Sequence, residues 1–170
     1  MPPDTAPIDW PACLRDLWAK GIPLAGEMGV AIQRLDEHVL AVTAPLAPNR
    51  NHMGSAFGGS LQGLATLAGW GVALLAVGAP DSHHVVIRHA QMRFILPVSG
   101  ELVAEAALPS AGAIAAFRGT LADRGYARLS VPVIIRGPGE SIAARYVGEF
   151  VALAAERQAG ANVPDPKPGA

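Results

Sequence analysis

The residues best suited to chemistry lie between positions 49 and 60, in the segment NRNHMGSAFGGS. Polar side chains give way there to Gly58 and Gly59, which open an uncharged run that extends to Pro80. A helix beginning at these glycines would present unpaired backbone N–H groups and a partial positive charge. Because glycine has no side chain, a ligand could approach that backbone closely. The segment therefore predicts a site for an anion or a developing oxyanion.

Polar residues near the glycines could complete such a site. Gln62 and Thr66 are four positions apart, on one stripe of the predicted helix that continues to Gly59. They either line a site or are satisfied by backbone and buried water. Thr66 could orient water, although a hydroxyl is too weak a base to activate it. The Asn51 amide could hold a carbonyl or a water, or it could simply shape the loop as an Asx-turn.

Histidine and cysteine give weaker signals. His52 could act as a general base, since imidazole titrates near neutral pH, but it could equally be a surface loop residue. His83, His84 and His89 alternate across a predicted strand without a nearby carboxylate, so we predict no metal site. Cys13 lies on a predicted amphipathic helix, where a buried structural thiol is the favoured interpretation.

The element that must position these residues is the apolar run over residues 57–77, which we predict to be one helix. Its length of about 20 residues would also cross a bilayer, and a helix apolar on all sides is buried in a protein core or in lipid. Its five glycines, and its polar residues Ser60, Gln62 and Thr66, favour close packing in a core. We therefore expect no membrane partner.

The remaining pattern predicts an antiparallel sheet. Residues 8–20 form an amphipathic helix with Asp9 as N-cap, and residues 23–26 form a turn. Alternating apolar residues predict strands at 28–35, 39–46, 83–96, 101–108, 113–122 and 126–136. Residues 141–148 could be irregular, and 149–156 could be a closing strand or a short helix. Such a meander covers the apolar helix only by curling around it, which gives an α+β domain. Its open edge favours self-association.

Composition limits the classes of function. The 170 residues suffice for one domain, which we place at 8–157, between a disordered lead (1–7) and a disordered Pro/Gly-rich tail (158–170). The net charge of -1 gives no reason to expect nucleic acid. A single cysteine fits a reducing compartment. Since the N-terminus has neither the basic start nor the apolar core of a signal peptide, we expect a cytoplasmic protein.

Three segments resemble a known family: NRNHMGSAFGGS at 49–60, its continuation through LAGW at 67–70, and RFILPVSGE at 93–101. Over residues 8–155 the chain is similar to the hotdog-fold acyl-thioester enzymes, in particular to the thioesterase domain in the C-terminal half of YiiD-like proteins. The resemblance implies a hotdog fold, an antiparallel sheet wrapped around a long central helix. It also implies a homodimer or a dimer of dimers.

The resemblance further implies hydrolysis of thioesters of coenzyme A or acyl carrier protein, which are substrates, so no cofactor is expected. The backbone N–H of Gly59, or of its neighbour Gly58, would polarise the thioester carbonyl, and Asn51 and Thr66 would place water. The substrate would contact His52, Phe57, Gly58 and Gln62. Many relatives carry an acidic residue where this chain has Thr66, and residues 51–80 contain no Asp or Glu.

Several alternatives therefore stay open. A base could come from Glu101, Glu105 or Asp123 across a dimer interface. Arg88 or Arg93 could bind the phosphates of coenzyme A, or both could be solvated strand residues. The missing acid also favours a non-catalytic acyl-CoA or lipid-binding protein, while a hydratase would require an acid–base pair that the helix start lacks.

Overall fold

The computed structural model describes residues 8–154. The helices are α1 (Trp10–Gly21), α2 (Pro23–Met28), α3 (Leu46–Asn49), α4 (Gly58–Val77) and α5 (Ala111–Arg124). The strands are β1 (Ala31–Leu35), β2 (Val39–Ala44), β3 (His83–Phe94), β4 (Leu102–Ala107), β5 (Tyr126–Arg136) and β6 (Ile142–Ala154). The predicted lead and tail, and the end of the predicted domain at 155–157, lie outside the described residues.

The strands form one antiparallel sheet in the order β1-β2-β4-β5-β6-β3, and α4 packs against it. This confirms the predicted sheet around a central helix, but the order is not that of a simple meander. The chain leaves β2 through α4 and re-enters the sheet as β3 at the far edge, beside β6. Strand β3 is therefore a 12-residue edge, whereas the opposite edge, β1, has 5 residues.

Helix α4 lies in the core of the domain, in agreement with the sequence. Within residues 8–154 it is the one helix long and apolar enough to cross a membrane, and 67% of its most apolar window is buried in the protein. Gly69 lies against the ring of Phe150, where an added Cβ would come within 2.7 Å of the ring, and Gly71 lies equally close to Leu40. Glycine at these two positions permits the close approach.

The segment predicted as a strand at 113–122 is instead part of α5. Ser110 caps this helix by accepting the N–H of Ala113 at 3.3 Å, and Gly125 ends it with φ 72°. Ile114, Phe117 and Leu121 recur at helical spacing and face the core. The caps and the three-to-four-residue period outweigh the local alternation that suggested a strand.

One further expectation was wrong, and two open alternatives are decided. Residues 23–26 belong to α2, because Pro23 occupies its first turn and the left-handed Gly29 ends it, so β1 begins only at Ala31. Residues 142–148 are not irregular but belong to β6, which pairs with both β5 and β3, and residues 149–154 continue it as the closing strand. The small residues Ala143, Ala144 and Gly148 weaken its alternation in the sequence.

The predicted faces of β3 also need correction. A β-bulge between Ile87 and His89 adds one residue to the strand. Val85 therefore faces the core together with Ala90 and Met92, which simple alternation placed on the opposite face. Arg88 lies at the bulge and forms an ion pair with Glu149 at 2.8 Å.

Candidate active site

The start of α4 leaves backbone donors without intrahelical partners. The N–H of Phe57 donates to the carbonyl of Asn49 at 2.7 Å, and the N–H of Leu61 donates back to the Phe57 carbonyl at 3.0 Å. The groups between them, the N–H of Gly58, Gly59 and Ser60, have no acceptor within the helix, and no side chain of the described residues caps it. The half-exposed ring of Phe57 lies over Gly59 and would overlap with any side chain there.

A cavity of about 520 Å³ lies beside this helix start, between α4 and α2. Its lining residues are Ile22, Leu24, Ala25, Met28, Gly59, Gln62, Gly63, Thr66 and Leu67. The fold thus brings together Gly59, Gln62 and Thr66, the stripe that the sequence predicted. The wall is apolar apart from Gln62 and Thr66, and none of the nine lining residues is acidic. Such a cavity suits an apolar ligand that carries a polar group at the helix start.

Thr66 has a partner that the sequence did not reveal. Its Oγ1 lies 3.0 Å from the hydroxyl of Tyr146, whose side chain is only 1% exposed on β6. Burial raises the pKa of the Tyr146 phenol above its ordinary value of 10.0, while the hydrogen bond with Thr66 acts in the opposite direction. The phenol is therefore protonated at neutral pH. Sequence reasoning missed Tyr146 because its segment had no clear strand period.

The loop before α4 uses the Asn51 side chain internally. Its Oδ1 accepts the N–H of Met53 at 2.9 Å, which is an Asx-turn, and its Nδ2 donates to Ser55 Oγ at 3.0 Å. Asn51 and the exposed His52 are not among the residues that line the cavity. Their proposed contacts with substrate or water remain predictions.

Asn49 ties the cavity wall to the helix start. Its side chain is 2% exposed, and its Nδ2 donates to the carbonyls of Met28 and Pro45, each at 2.8 Å. Its own carbonyl accepts the N–H of Phe57. One residue thus fixes the end of α2 and the residue that precedes α4. Asn49 was part of the sequence motif, but nothing in the sequence indicated that it is buried.

A second, smaller cavity of about 320 Å³ lies on another side of the helix start. It is lined by Ala56, Gly58, Leu61 and residues 94–98. The two glycines therefore face different spaces, since Gly59 borders the larger cavity and Gly58 the smaller one. Phe94, whose side chain is 53% exposed, contacts the position that a Gly58 side chain would take.

The acidic residues considered as bases lie elsewhere in this chain. Glu105 is held by Arg136 at 2.6 Å on the face of β4 opposite the core, and Glu101 and Asp123 are exposed. None of the three lines the larger cavity. No group of three or more His, Cys, Asp or Glu residues within 8–154 could hold a metal ion.

Cys13 is half-buried on α1. Burial raises the pKa of its thiol, and Asp81 and Asp16 raise it further. The thiol is therefore protonated at neutral pH and is a poor nucleophile, since the thiolate is the reactive form. This supports a structural role.

Comparison with known proteins identifies the relatives of this architecture. The sequence model of the family described as "Putative thioesterase (yiiD_Cterm)" matches residues 12–154. A protein of unknown function from Chlorobaculum tepidum is 28% identical, with a TM-score of 0.80 over 84% of this chain and 93% of that one. A putative thioesterase from Shewanella oneidensis is 26% identical, with a TM-score of 0.74 over 85% and 97%. A thioesterase from Haemophilus influenzae, 16% identical over 88% and 94% with a TM-score of 0.67, shares the hotdog fold.

Proposed function

The chain belongs to the "Putative thioesterase (yiiD_Cterm)" family, and on that premise we propose that it hydrolyses acyl thioesters of coenzyme A or of acyl carrier protein. The observation that carries the proposal is the uncapped N–H of Gly59 at the mouth of an apolar cavity that also contains the Thr66 hydroxyl. A donor fixed where negative charge develops stabilises the transition state more than the substrate.

In the proposed reaction the thioester carbonyl oxygen accepts the N–H of Gly59, and a water held by Thr66 attacks the carbonyl carbon. The C–S bond breaks, the leaving thiolate takes up the proton that the attacking water loses, and the products are a carboxylic acid and a free thiol. No carboxylate among the cavity-lining residues is available as a base. The proposal therefore assigns most of the rate enhancement to carbonyl polarisation and to the placement of water.

The cavity supports a limit on the acyl group. It follows α4 from Gly59 to Leu67, eight residues, which is about 12 Å along the axis at the helical rise. Its wall beside α2 is aliphatic, with Ile22, Leu24 and Met28. We expect a medium-length aliphatic acyl chain to be preferred over acetyl and over long chains.

The edge strand β3 supports a homodimer. It is long and has no neighbour on one side within the described residues. Exposed apolar residues lie on it and next to it: Val86, Ile87, Phe94, Ile95, Leu96 and Val147. A second copy pairing antiparallel with β3 would satisfy the edge and cover these side chains.

The variant V86K/I87K should then elute as a monomer, while Ile8→Lys, far from this strand in sequence and also partly exposed, should leave the elution volume unchanged. A dimer that survives both changes would contradict this interface.

The hydrolase proposal is tested by removing one backbone donor at a time. Proline is tolerated in the first turn of a helix and has no N–H. Gly59→Pro should lower kcat about 100-fold in a thiol-release assay with acetyl-, octanoyl-, palmitoyl- and benzoyl-CoA. Any side chain at position 59 overlaps the Phe57 ring, so the matched control is Gly59→Ala, which adds a Cβ but keeps the N–H and should cost less than tenfold. Gly58→Pro removes the neighbouring N–H on the side of the smaller cavity and should also cost less than tenfold. Unchanged hydrolysis by Gly59→Pro would overturn the mechanism.

The lack of an acid in the cavity favours a second candidate, a non-catalytic acyl-CoA-binding protein. Its signature would be saturable binding of octanoyl-CoA without release of free thiol by the wild-type protein. The same two measurements, titration calorimetry and thiol release, separate the candidates.

A further inference from the structure

Two threonines in the middle of helices use their hydroxyls differently. In α5, Thr120 Oγ1 donates to the carbonyl of Ala116 at 3.0 Å, the usual bond to the residue four positions earlier. Thr66 in α4 makes no such bond within the described residues, and its Oγ1 meets the hydroxyl of Tyr146 at 3.0 Å instead. The Thr66 hydroxyl is therefore turned away from its own helix and toward β6.

The burial of Tyr146 determines which hydroxyl donates. Its side chain is 1% exposed, and Thr66 is its one hydrogen-bond partner within residues 8–154. If Thr66 were the donor, the phenol proton would be buried without an acceptor, which is costly. If Tyr146 is the donor, the phenol O–H has its acceptor, and the Thr66 hydroxyl is free to donate to the cavity that Thr66 lines.

We propose that Tyr146 is a positioning residue that donates to Thr66 Oγ1 and thereby directs the Thr66 proton into the cavity. This inference rests on the proposed function. Thr66 follows Gly59 by seven residues, about 10 Å along the axis, so the two groups do not share one carbonyl oxygen. The ligand of Thr66 is then the attacking water. One lone pair of this water accepts a hydrogen bond from the Thr66 hydroxyl, and the other lone pair attacks the carbonyl carbon.

The test removes single hydroxyl groups and measures hydrolysis of the wild type's best acyl-CoA. Tyr146→Phe should lower kcat roughly tenfold with little change in KM, because water placement, not substrate binding, is lost. Thr66→Val should lose at least as much, and the double variant no more than Thr66→Val alone, since both groups act on one water. Thr66→Ser should retain activity. Tyr126→Phe, at the other tyrosine of the chain, should match the wild type.

Three results would overturn the inference: normal kcat in Tyr146→Phe, losses that multiply in the double variant, or a rise in KM alone. Thermal unfolding of each variant separates a loss of fold from a loss of positioning. The direction of the bond is measured independently by NMR. With Tyr146 as donor the Thr66 hydroxyl proton faces the cavity and exchanges rapidly with water while the Tyr146 hydroxyl proton is protected, which supports the orientation; a protected Thr66 hydroxyl proton contradicts it. If the wild type releases no thiol, the proposed function fails, and the NMR result still decides the orientation.

Discussion

The two halves of α4 differ in how they use glycine. In the N-terminal half, Gly59 and Gly63 border the larger cavity together with Gln62 and Thr66, and no side chain of the described residues caps the helix. A Cβ added at Gly63 would lie 3.5 Å from the Met28 sulfur, an ordinary contact. Glycine here leaves space and exposed backbone.

The C-terminal half is sealed. Gly69 and Gly71 are pressed against Phe150 and Leu40, so glycine here allows close packing. The last carbonyls are capped by Arg118 of α5, whose Nε donates to the Ala76 carbonyl at 2.7 Å. One helix thus combines a closely packed end with an end that leaves cavity space and uncapped backbone N–H groups. Both halves contain glycines, but the polar residues Ser60, Gln62 and Thr66 lie only in the N-terminal half, and the neighbours of each half decide whether its glycines leave space or allow close packing.

The largest expected effect is on the sealed half. Gly69→Val would force two methyl groups into the ring of the fully buried Phe150, and we expect a loss of about 3 kcal/mol in the free energy of unfolding. Urea denaturation measures it. A loss below about 0.5 kcal/mol would mean that this half can rearrange, and the contrast with the open half would fail.

The same substitution in the open half should change specificity more than stability. Gly63→Val fills cavity space beside Met28, so kcat/KM for octanoyl-CoA should fall roughly tenfold, with acetyl-CoA changed less than about twofold. A chain-length profile measures this, with Gly63→Ala as the smaller step. Equal losses for both substrates would show that the acyl chain does not occupy this cavity.

Removing the cap at the sealed end should have a moderate effect. Arg118→Ala leaves the carbonyls of Leu75 and Ala76 without the guanidinium, and we expect a loss of about 1 kcal/mol in stability with unchanged kcat. Arg15→Ala, at an exposed position on α1, is the control for loss of charge. A fall in kcat with Arg118→Ala would indicate that the two ends are coupled.

The smallest effect is a pH dependence of stability from the open half. Burial raises the pKa of folded Tyr146 above 10.0, so the unfolded chain loses this proton first as pH rises. The free energy of unfolding is therefore undiminished below the pKa of the phenol in the unfolded chain. It falls as pH increases through the pKa of the phenol in the folded chain, by at most about 1.4 kcal/mol per pH unit. The difference in the free energy of unfolding between the wild type and Tyr146→Phe, measured by denaturation between about pH 9 and 11, isolates this contribution. A difference that is constant with pH would argue against the buried phenol.

The sequence predicts the scaffold of the site well. Helix α4 differs from the predicted span 57–77 by one residue, and β5 matches 126–136. The bounds were predictable because glycine and proline near the ends of a long run mark where an element begins and ends. The stripe of Gly59, Gln62 and Thr66 follows from helical spacing alone, and it does line one cavity.

The sequence does not predict what meets that stripe. Tyr146 is 80 positions from Thr66, and Asn49 is 21 positions from Met28. Such contacts depend on the strand order, and the position of β6 between β5 and β3 has no local signal. The segment that became α5 fits both a helix and a strand until its caps are considered. The roles of Asn51 and His52 stay predictions.

Asn49 has a consequence for how the site would sense its ligand. Its Nδ2 donates to the carbonyl of Met28, which lines the larger cavity, and its own carbonyl accepts the N–H of Phe57, the residue before α4. In the proposed function this link would couple the packing of an acyl chain against Met28 to the position of the Gly59 N–H, so that the fit of the chain would bear on the rate as well as on binding.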